Sequence, residues 1–294
     1  LSASVQLQDA SFQPADRELT MNHGKKRRGA TVFLSIISLP ILIMYVWLFV
    51  DSVTLTEDGG IRPSAWTLKN WRFLYQTLEG HASIWPVALN TLIFACSVVV
   101  IVVSLSATAG YALSRLKWRF RGPVLGGVLL LHAFPSITLI IAIFVMLQAL
   151  KLYNTLIGVI LVKASLELPL GIWVMKGFYD SVPWEIEMAG LQDGASRFQV
   201  WRKLILPQIR PGVAALSIFS FIAGWSEYVL PLILAPSAGV QTLSVYLAGL
   251  LQDNYLSDFG LFKAVGIFYI APVLIFYLFT QEKLMHIYAG GTKG

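Results

Sequence analysis

Residues 86–114 have the sequence PVALNTLIFACSVVVIVVSLSATAGYALS, which contains no aspartate, glutamate, lysine or arginine. A transmembrane helix needs about 20 mainly apolar residues, because each residue advances a helix by about 1.5 Å and the hydrocarbon core is about 30 Å thick. This stretch is long enough, so the sequence predicts that it crosses a membrane.

Five further segments have a similar length and apolar character. They are residues 29–50, 122–150, 155–178, 211–236 and 261–281. The whole chain is 56% hydrophobic and only 13% charged, whereas soluble domains carry about 25% charged residues. This composition excludes a soluble globular domain. The sequence therefore predicts an all-α, polytopic membrane protein with six transmembrane helices.

Lysine and arginine are distributed unequally between the two sides of these helices. Short loops rich in these residues remain in the cytoplasm, and fifteen of them lie on the side of the termini against five on the other side. We therefore expect both termini to be cytoplasmic, with residues 1–28 as a disordered tail and 282–294 as a C-terminal tail. Loops 51–85 and 237–260 are expected to be extracytoplasmic. Long apolar runs separate the basic residues, so the net charge of +6 does not indicate nucleic-acid binding.

The longest cytoplasmic loop, residues 179–210, contains the signals for two short helices. Pro183 suits the first turn of a helix over 183–192, because its missing N–H is not needed there. The dipeptide Asp193-Gly194 then predicts a tight turn, and a capping box predicts the start of a second helix. The capping pair is Ser196 and Gln199.

Each short helix has apolar residues at helical spacing, so each presents one apolar face. The apolar positions are Trp184, Met188 and Leu191 in the first helix and Phe198, Trp201 and Ile205 in the second. Two interpretations remain open. The helices lie on lipid headgroups, or they dock on a soluble cytoplasmic partner.

The same loop carries a motif that resembles a known family. Glu187, Ala189, Asp193-Gly194-Ala195, Leu204, Leu206 and Pro207 resemble the EAA loop of binding-protein-dependent ABC importer permeases. The family pattern is E-A-A, three residues, G, nine residues and I-x-L-P. The resemblance is closest to the second permease of maltose-type carbohydrate importers and extends over residues 86–294. Further family landmarks are Gly110-Tyr111-Ala112, Ser114-Arg115, Phe120, Gly122 and Phe134-Pro135.

The resemblance implies the MetI-like fold of ABC importer permeases and a set of partners. In that family the loop forms a coupling helix that sits in a cleft of an ATPase subunit. The implied partners are a cytoplasmic ATPase dimer, a second homologous permease, an extracytoplasmic solute-binding protein and a saccharide. The implied location is the inner membrane of a bacterium. The outer loops 51–80 and 237–260 are candidate contacts for the binding protein.

Two sets of residues are implied to contact the ATPase. The coupling residues are Trp184, Glu185, Glu187, Met188, Ala189, Leu191, Asp193, Gly194, Ala195, Phe198, Trp201 and Pro207. The C-terminal residues Gly290, Gly291, Thr292, Lys293 and Gly294 are similar to a family tail that enters the ATPase dimer interface. Met188 stands where the family has the glutamate of E-A-A, and Gly190 replaces the second alanine. Whether Glu187 or Glu185 takes over the role of that glutamate stays open.

The sequence contains no motif for reaction chemistry. The phosphate-binding pattern G-x-x-x-x-G-K-[ST] is absent, so we expect ATP and Mg²⁺ to bind a partner ATPase and this chain to be no enzyme. The histidines at 23, 81, 132 and 286 lack metal-ligand spacing. No catalytic residue, cofactor or metal site is predicted. The single cysteine, Cys96, is expected to be a small buried hydrophobic residue.

Three ionisable residues in the spans are candidates for the translocation path, because such groups normally face protein or water. Lys163 and Glu167 are neighbours at i and i+4 on one helix face. Two interpretations remain open: they form a structural ion pair, or Lys163 faces the cavity and attracts an anionic substrate. Glu227 lies between Trp225 and Tyr228. Two roles are open for these aromatic residues: they stack on a sugar, or they belong to an interfacial aromatic belt.

The leading hypothesis is a permease subunit of an ATP-driven ABC importer for oligosaccharides, either neutral or acidic like alginate. Closure of the ATPases would drive alternating access. The alternative is a secondary transporter or channel subunit that works without an ATPase. That class explains six spans but not the two-helix loop, and it predicts internal repeats.

Overall fold

The computed structural model describes residues 13–55, 65–116, 119–252 and 258–289. Two compact units, residues 1–67 and 68–294, are described separately. The first contains helix α1 (Gln13–Ser52) and a two-stranded antiparallel sheet, β1 (Thr54–Leu55) with β2 (Ala65–Trp66).

Helix α1 begins earlier than the sequence analysis predicts. The expected disordered tail ends at residue 28, whereas residues 13–28 are helical and continue into the first apolar segment. Pro14 lies in the first turn, where proline is well tolerated. The residues that follow include strong helix formers such as glutamate, leucine, methionine, lysine and arginine. Residues 1–12 lie outside the described ranges.

The second unit is built from α-helices and short connections. In chain order the α-helices are α2 (Ile84–Arg115), α3 (Arg121–Ala133), α4 (Ile140–Ala149), α5 (Leu156–Asp180), α6 (Trp184–Gln192), α7 (Arg197–Val200), α8 (Leu206–Gln208), α9 (Arg210–Trp225), α10 (Val229–Leu234), α11 (Leu243–Gln252) and α12 (Phe259–Ala289). The connections include a π-helix, Trp201–Ile205, between α7 and α8. Among the described residues, four helices are long and apolar enough to cross a membrane, or up to six if each of two bent pairs is one span.

The predicted third and fifth spans are not continuous helices. Helix α3 and the segment Ser136–Ala149 meet at an angle of 89°. The bend lies at Phe134, which has extended backbone angles because the following Pro135 disfavours a helical residue before it. The predicted fifth span, 211–236, consists of α9 and α10 with a break at residues 226–228.

Small residues allow α2 to pack closely on α5 and α9. A Cβ atom placed on Gly110 of α2 would lie 2.9 Å from the Cβ of Met175 in α5. One placed on Gly224 of α9 would lie 3.0 Å from the Cα of Ala95 in α2. Close contact of helix backbones at small residues is typical of membrane helix packing. Helix α2 is therefore the central element of the second unit.

Residues 237–252, which belong to the predicted loop 237–260, are folded against α2. They include α11, whose residues Leu243, Tyr246 and Leu250 are buried. Asn90 of α2 donates hydrogen bonds to the carbonyl oxygens of Gly239 (3.0 Å) and Gln241 (3.1 Å). The Thr91 hydroxyl accepts a hydrogen bond from the backbone N–H of Leu243 at 2.8 Å. In this loop Asp258 pairs with Arg72 at 2.7 Å, and Asp253 lies outside the described residues.

Cys96 differs from its prediction. It is exposed, and it lines an apolar groove of about 600 Å³ together with residues of α9 and α12. The apolar run around Cys96 fits either a core or a lipid-facing surface, so the composition alone did not decide between them.

Candidate functional site

Residues 179–210, which we call the EAA-like segment, fold as two short helical pieces at one end of the second unit. Helix α6 begins at Trp184, directly after Pro183. The turn that follows uses Gly194, which has a φ of +84°. The predicted capping box is confirmed, because the N–H of Gln199 donates to Ser196 Oγ (3.3 Å) and the N–H of Ser196 donates to Gln199 Oε1 (2.9 Å).

The first helix of the segment is attached to α2 through a buried carboxylate. Glu187 is only 1% exposed. Its Oε1 accepts a hydrogen bond from the Tyr111 hydroxyl at 2.7 Å, and its Oε2 lies 3.3 Å from Arg115 Nε. Glu187 is therefore paired inside this chain through a hydrogen bond at Oε1 and a charge contact at Oε2, which makes no hydrogen bond among the described residues. Glu185, two residues earlier, is exposed in the first turn of α6.

Arg115 connects the same carboxylate to the end of α5. Its Nη2 donates to the carbonyl oxygens of Tyr179 (2.8 Å) and Val182 (2.7 Å). Its guanidinium also lies 5.3 Å from the centre of the Trp184 ring, a distance typical of a cation–π contact. One arginine thus contacts α5, the α5–α6 connection and α6.

The second helical piece packs inward through part of its predicted apolar face. Trp201 Nε1 donates a hydrogen bond to the Tyr179 hydroxyl at 2.9 Å. Ile205 is fully buried, and Val200 packs in the same core. The predicted apolar face of this helix is therefore divided: Ile205 and much of Trp201 pack inside this chain, and Phe198 remains exposed. Sequence spacing could not show that this helix buries one side against α5 and α6.

The apolar residues that remain exposed form the outer surface of the segment. They are Trp184, Met188, Phe198 and Leu204, each more than one third exposed. The basic residues Arg197, Arg202 and Lys203 are exposed in the same segment. Of the other implied coupling residues, Ala189, Asp193 and Gly194 are exposed, and Leu191, Ala195 and Pro207 are half-buried. The implied tail residues Gly290 to Gly294 lie outside the described residues.

The three candidate path residues lie together and form one charge cluster. Lys163 Nζ is 2.9 Å from Glu167 Oε1 and 2.8 Å from Glu227 Oε2. The pairing of Lys163 with Glu167 was predicted from their spacing, whereas the approach of Glu227 depends on the packing of two separate spans. The three side chains are 12–21% exposed. With two carboxylates and one ammonium, the cluster has a formal charge of −1.

Glu227 also organises the break between α9 and α10. Its Oε1 accepts a hydrogen bond from the backbone N–H of Leu230 in the first turn of α10, at 3.2 Å. Its carbonyl oxygen accepts a hydrogen bond from Ser244 Oγ at 2.5 Å. A free backbone N–H within a membrane is costly, so this carboxylate compensates for the interrupted helix.

Trp225 does not have either of the roles considered for it. The indole is 3% exposed and donates a hydrogen bond to the carbonyl oxygen of Tyr269 at 3.0 Å. Its ring stacks on Phe221, with the ring centres 5.6 Å apart. It is therefore a core residue rather than part of an interfacial belt, and its ring is not open to a sugar. Tyr228 is half-buried.

Among the described residues, no group of three histidine, cysteine, aspartate or glutamate side chains could hold a metal ion. The EAA-like segment presents an apolar and basic surface, and the charge cluster presents paired charges between two spans.

Comparison with known proteins finds similarity to membrane proteins of transport systems. The model of the family described as "Binding-protein-dependent transport system inner membrane component" matches residues 101–281. The trehalose transport system permease protein SugB of Mycobacterium tuberculosis is 30% identical over 257 residues, which cover 86% of this chain and 91% of SugB. The maltodextrin transport system permease protein MdxG of Bacillus subtilis is 28% identical over 232 residues, or 78% of this chain and 82% of MdxG.

A solved structure has the same fold. It is described as the crystal structure of a bacterial ABC transporter involved in the import of the acidic polysaccharide alginate. The TM-score is 0.72 at 22% sequence identity, and the match covers 92% of this chain and 98% of the other.

Proposed function

The chain belongs to the family of inner membrane components of binding-protein-dependent transport systems, and on this premise we propose that it is a permease subunit of an ATP-driven ABC importer for oligosaccharides. In this proposal the EAA-like segment receives the movement of a cytoplasmic ATPase dimer. A second, homologous permease completes the path, and an extracytoplasmic binding protein delivers the sugar. The relatives named above, permeases for trehalose and maltodextrin, support the sugar class.

The observation that carries the proposal is the exposed surface of the EAA-like segment. Phe198 is 63% exposed although the segment on which it lies is firmly packed. Aromatic and aliphatic side chains together with arginines are typical of protein interfaces. A partner that binds there would present an apolar cleft with acidic residues at its edge. In this proposal the motor is such a partner, because the phosphate-binding pattern does not occur in this sequence.

The orientation follows from the charge distribution. Most lysine and arginine residues flank the ends of the spans that lie on the side of residues 179–210. We therefore place this segment and both termini in the cytoplasm of a bacterium, and the loops 51–85 and 237–260 outside its inner membrane.

For the substrate we propose neutral oligosaccharides first. Lys163 is paired with two carboxylates, so the charge cluster is net negative and would repel an anionic sugar that came close to it. Acidic saccharides such as alginate oligomers are the second candidate, and the observation that favours them is the fold shared with an alginate importer.

The proposal can be tested with the chain purified from native membranes in mild detergent. We expect a P-loop ATPase and a second permease to be identified with it by mass spectrometry, and ATP-driven uptake of a labelled oligosaccharide after reconstitution into proteoliposomes. Phe198→Asp should abolish ATPase binding and uptake, whereas Gln192→Ala, an exposed polar control in α6, should not. Sugar uptake by the chain alone, without an ATPase, would favour a secondary transporter instead.

The substrate class can be tested with the same vesicles. Uptake of labelled maltodextrin and of labelled alginate oligomers is compared for the wild-type protein and Lys163→Ala. Selective uptake of the neutral sugar supports the first candidate. Uptake of alginate that weakens strongly in Lys163→Ala would support the second candidate and a role for Lys163 in attracting anions.

A further inference from the structure

The ends of α2, α5 and α6 meet at a group of three polar side chains, Tyr111, Arg115 and Glu187, which we call the buried node. Tyr111 and Arg115 are four residues apart on α2, so both point to the same side of that helix. Glu187 of α6 receives the Tyr111 hydroxyl on one carboxylate oxygen and faces Arg115 with the other.

The burial of this node is unusual for charged groups. The side chains of Arg115 and Glu187 are 6% and 1% exposed. Removing charges from water is costly, so a buried ion pair is weak evidence for stability. Such a pair instead fixes the relative position of the two helices. If they move apart, each buried charge loses its partner, which is strongly unfavourable. The node therefore specifies how α6 sits on α2.

Further contacts extend the node to α5 and to the second piece of the EAA-like segment. Arg115 donates to two carbonyl oxygens at the end of α5, and Ser114 donates to Asp180 Oδ1 at 2.6 Å. Trp201 donates to the hydroxyl of Tyr179, whose ring lies 5.5 Å from that of Tyr111. Both pieces of the segment are thus linked to both long helices.

We propose that Tyr111, Arg115 and Glu187 are positioning residues that hold the EAA-like segment, α2 and α5 together as one body, and so determine how much of the ATPase movement becomes sugar transport. This inference rests on the proposed function for the source of the movement. If the node were only a folding element, a variant that folds and assembles would transport as efficiently as the wild-type protein.

The first test measures the number of ATP molecules hydrolysed for each sugar imported by the complete transporter in proteoliposomes. Tyr111→Phe removes only the hydroxyl on Glu187, and Glu187→Gln keeps the shape but removes the charge. We expect ATP consumption per sugar to rise about fivefold or more in either variant, the lower range of typical coupling between sites. The control is Tyr153→Phe, because in the described part of the chain the Tyr153 hydroxyl makes no hydrogen bond.

The second test follows the distance between spin labels at Leu116, at the end of α2, and Gln192, at the end of α6. Both residues are exposed, and Cys96→Ser removes the single native cysteine of this chain; cysteines of the partner subunits are replaced in the same way. In the complete transporter we expect one narrow distance that does not change when nucleotide is trapped with vanadate. The distribution should broaden in Glu187→Gln.

The outcomes separate the two proposals. A distance that changes on nucleotide trapping in the wild-type protein, or variants with unchanged ATP consumption per sugar, would overturn the single-body inference. A wild-type preparation that imports sugar without an ATPase would overturn the proposed function, and the label distance would still report whether the segment moves with α2.

Discussion

Lys163→Met tests the charge cluster most directly. The substitution keeps the length and apolar stem of the side chain but removes its ammonium, so Glu167 and Glu227 are left without a counter-ion within 3 Å and the cluster charge changes from −1 to −2. Removing one partner of a buried ion pair costs about 3–5 kcal/mol. Because the three side chains retain some exposure, we take the lower end, about 3 kcal/mol.

This loss should be visible as a lower melting temperature. A chain of this size loses about 2–4 °C for each kcal/mol, so we expect a decrease of roughly 6–12 °C for Lys163→Met, measured by intrinsic tryptophan fluorescence in detergent. Glu167→Gln is the matched control. This substitution brings the cluster to neutrality and keeps the contact between Lys163 and Glu227. The melting temperature of Glu167→Gln should therefore stay within about 2 °C of the wild-type value, the change expected for an ordinary surface substitution.

A double-mutant cycle isolates the contact between the two spans. We expect the double variant of Lys163→Met with Glu227→Gln to lose less stability than the sum of the single variants, by about 1 kcal/mol or more. Additive losses, or a Lys163→Met protein with the wild-type melting temperature, would show that this ion pair does not hold the break between α9 and α10 against α5.

Two further predictions concern packing and capping. Gly110→Ala should destabilise the protein by about 1–3 kcal/mol, because the new methyl group would lie 2.9 Å from Met175 Cβ, whereas Gly126→Ala should not, since no described atom lies within 4 Å of its Cβ position. Both are measured as melting temperatures, and equal values would contradict the close packing of α2 on α5. Ser196→Ala removes half of the capping box with Gln199 and should cost about 1 kcal/mol, measured by faster hydrogen exchange of the N–H groups in the second helical piece.

Local rules predicted the features that depend on neighbouring residues. Apolar length predicted the spans, and the spacing of Ser196 and Gln199 predicted the capping box that the structure contains. The i and i+4 spacing of Lys163 and Glu167 predicted their contact. In the capping box and the ion pair, the interacting groups are three or four residues apart, so residues close in sequence are also close in space.

Features that depend on packing between distant segments were not predictable in this way. Glu187 meets Tyr111 across 76 residues, and Glu227 reaches Lys163 from another span. Proline alone is also ambiguous. Pro135 accompanies a bend of 89°, whereas Pro169 lies inside the uninterrupted helix α5. Neighbouring helices decide whether the hydrogen bond that a proline removes is replaced or the helix breaks.

Helix α2 is held near each of its ends by polar contacts. Asn90 and Thr91 bind the backbone of residues 239–243, and Tyr111 and Arg115 bind the EAA-like segment. Asn90 and Tyr111 are about 32 Å apart along the helix at 1.5 Å per residue, slightly more than the thickness of the hydrocarbon core. The uninterrupted helix α2 therefore connects the contacts at the two faces of the membrane. A single alanine inserted at its middle would turn one attachment by about 100° relative to the other, so the two faces would lose their mechanical connection while the span stayed apolar and helical.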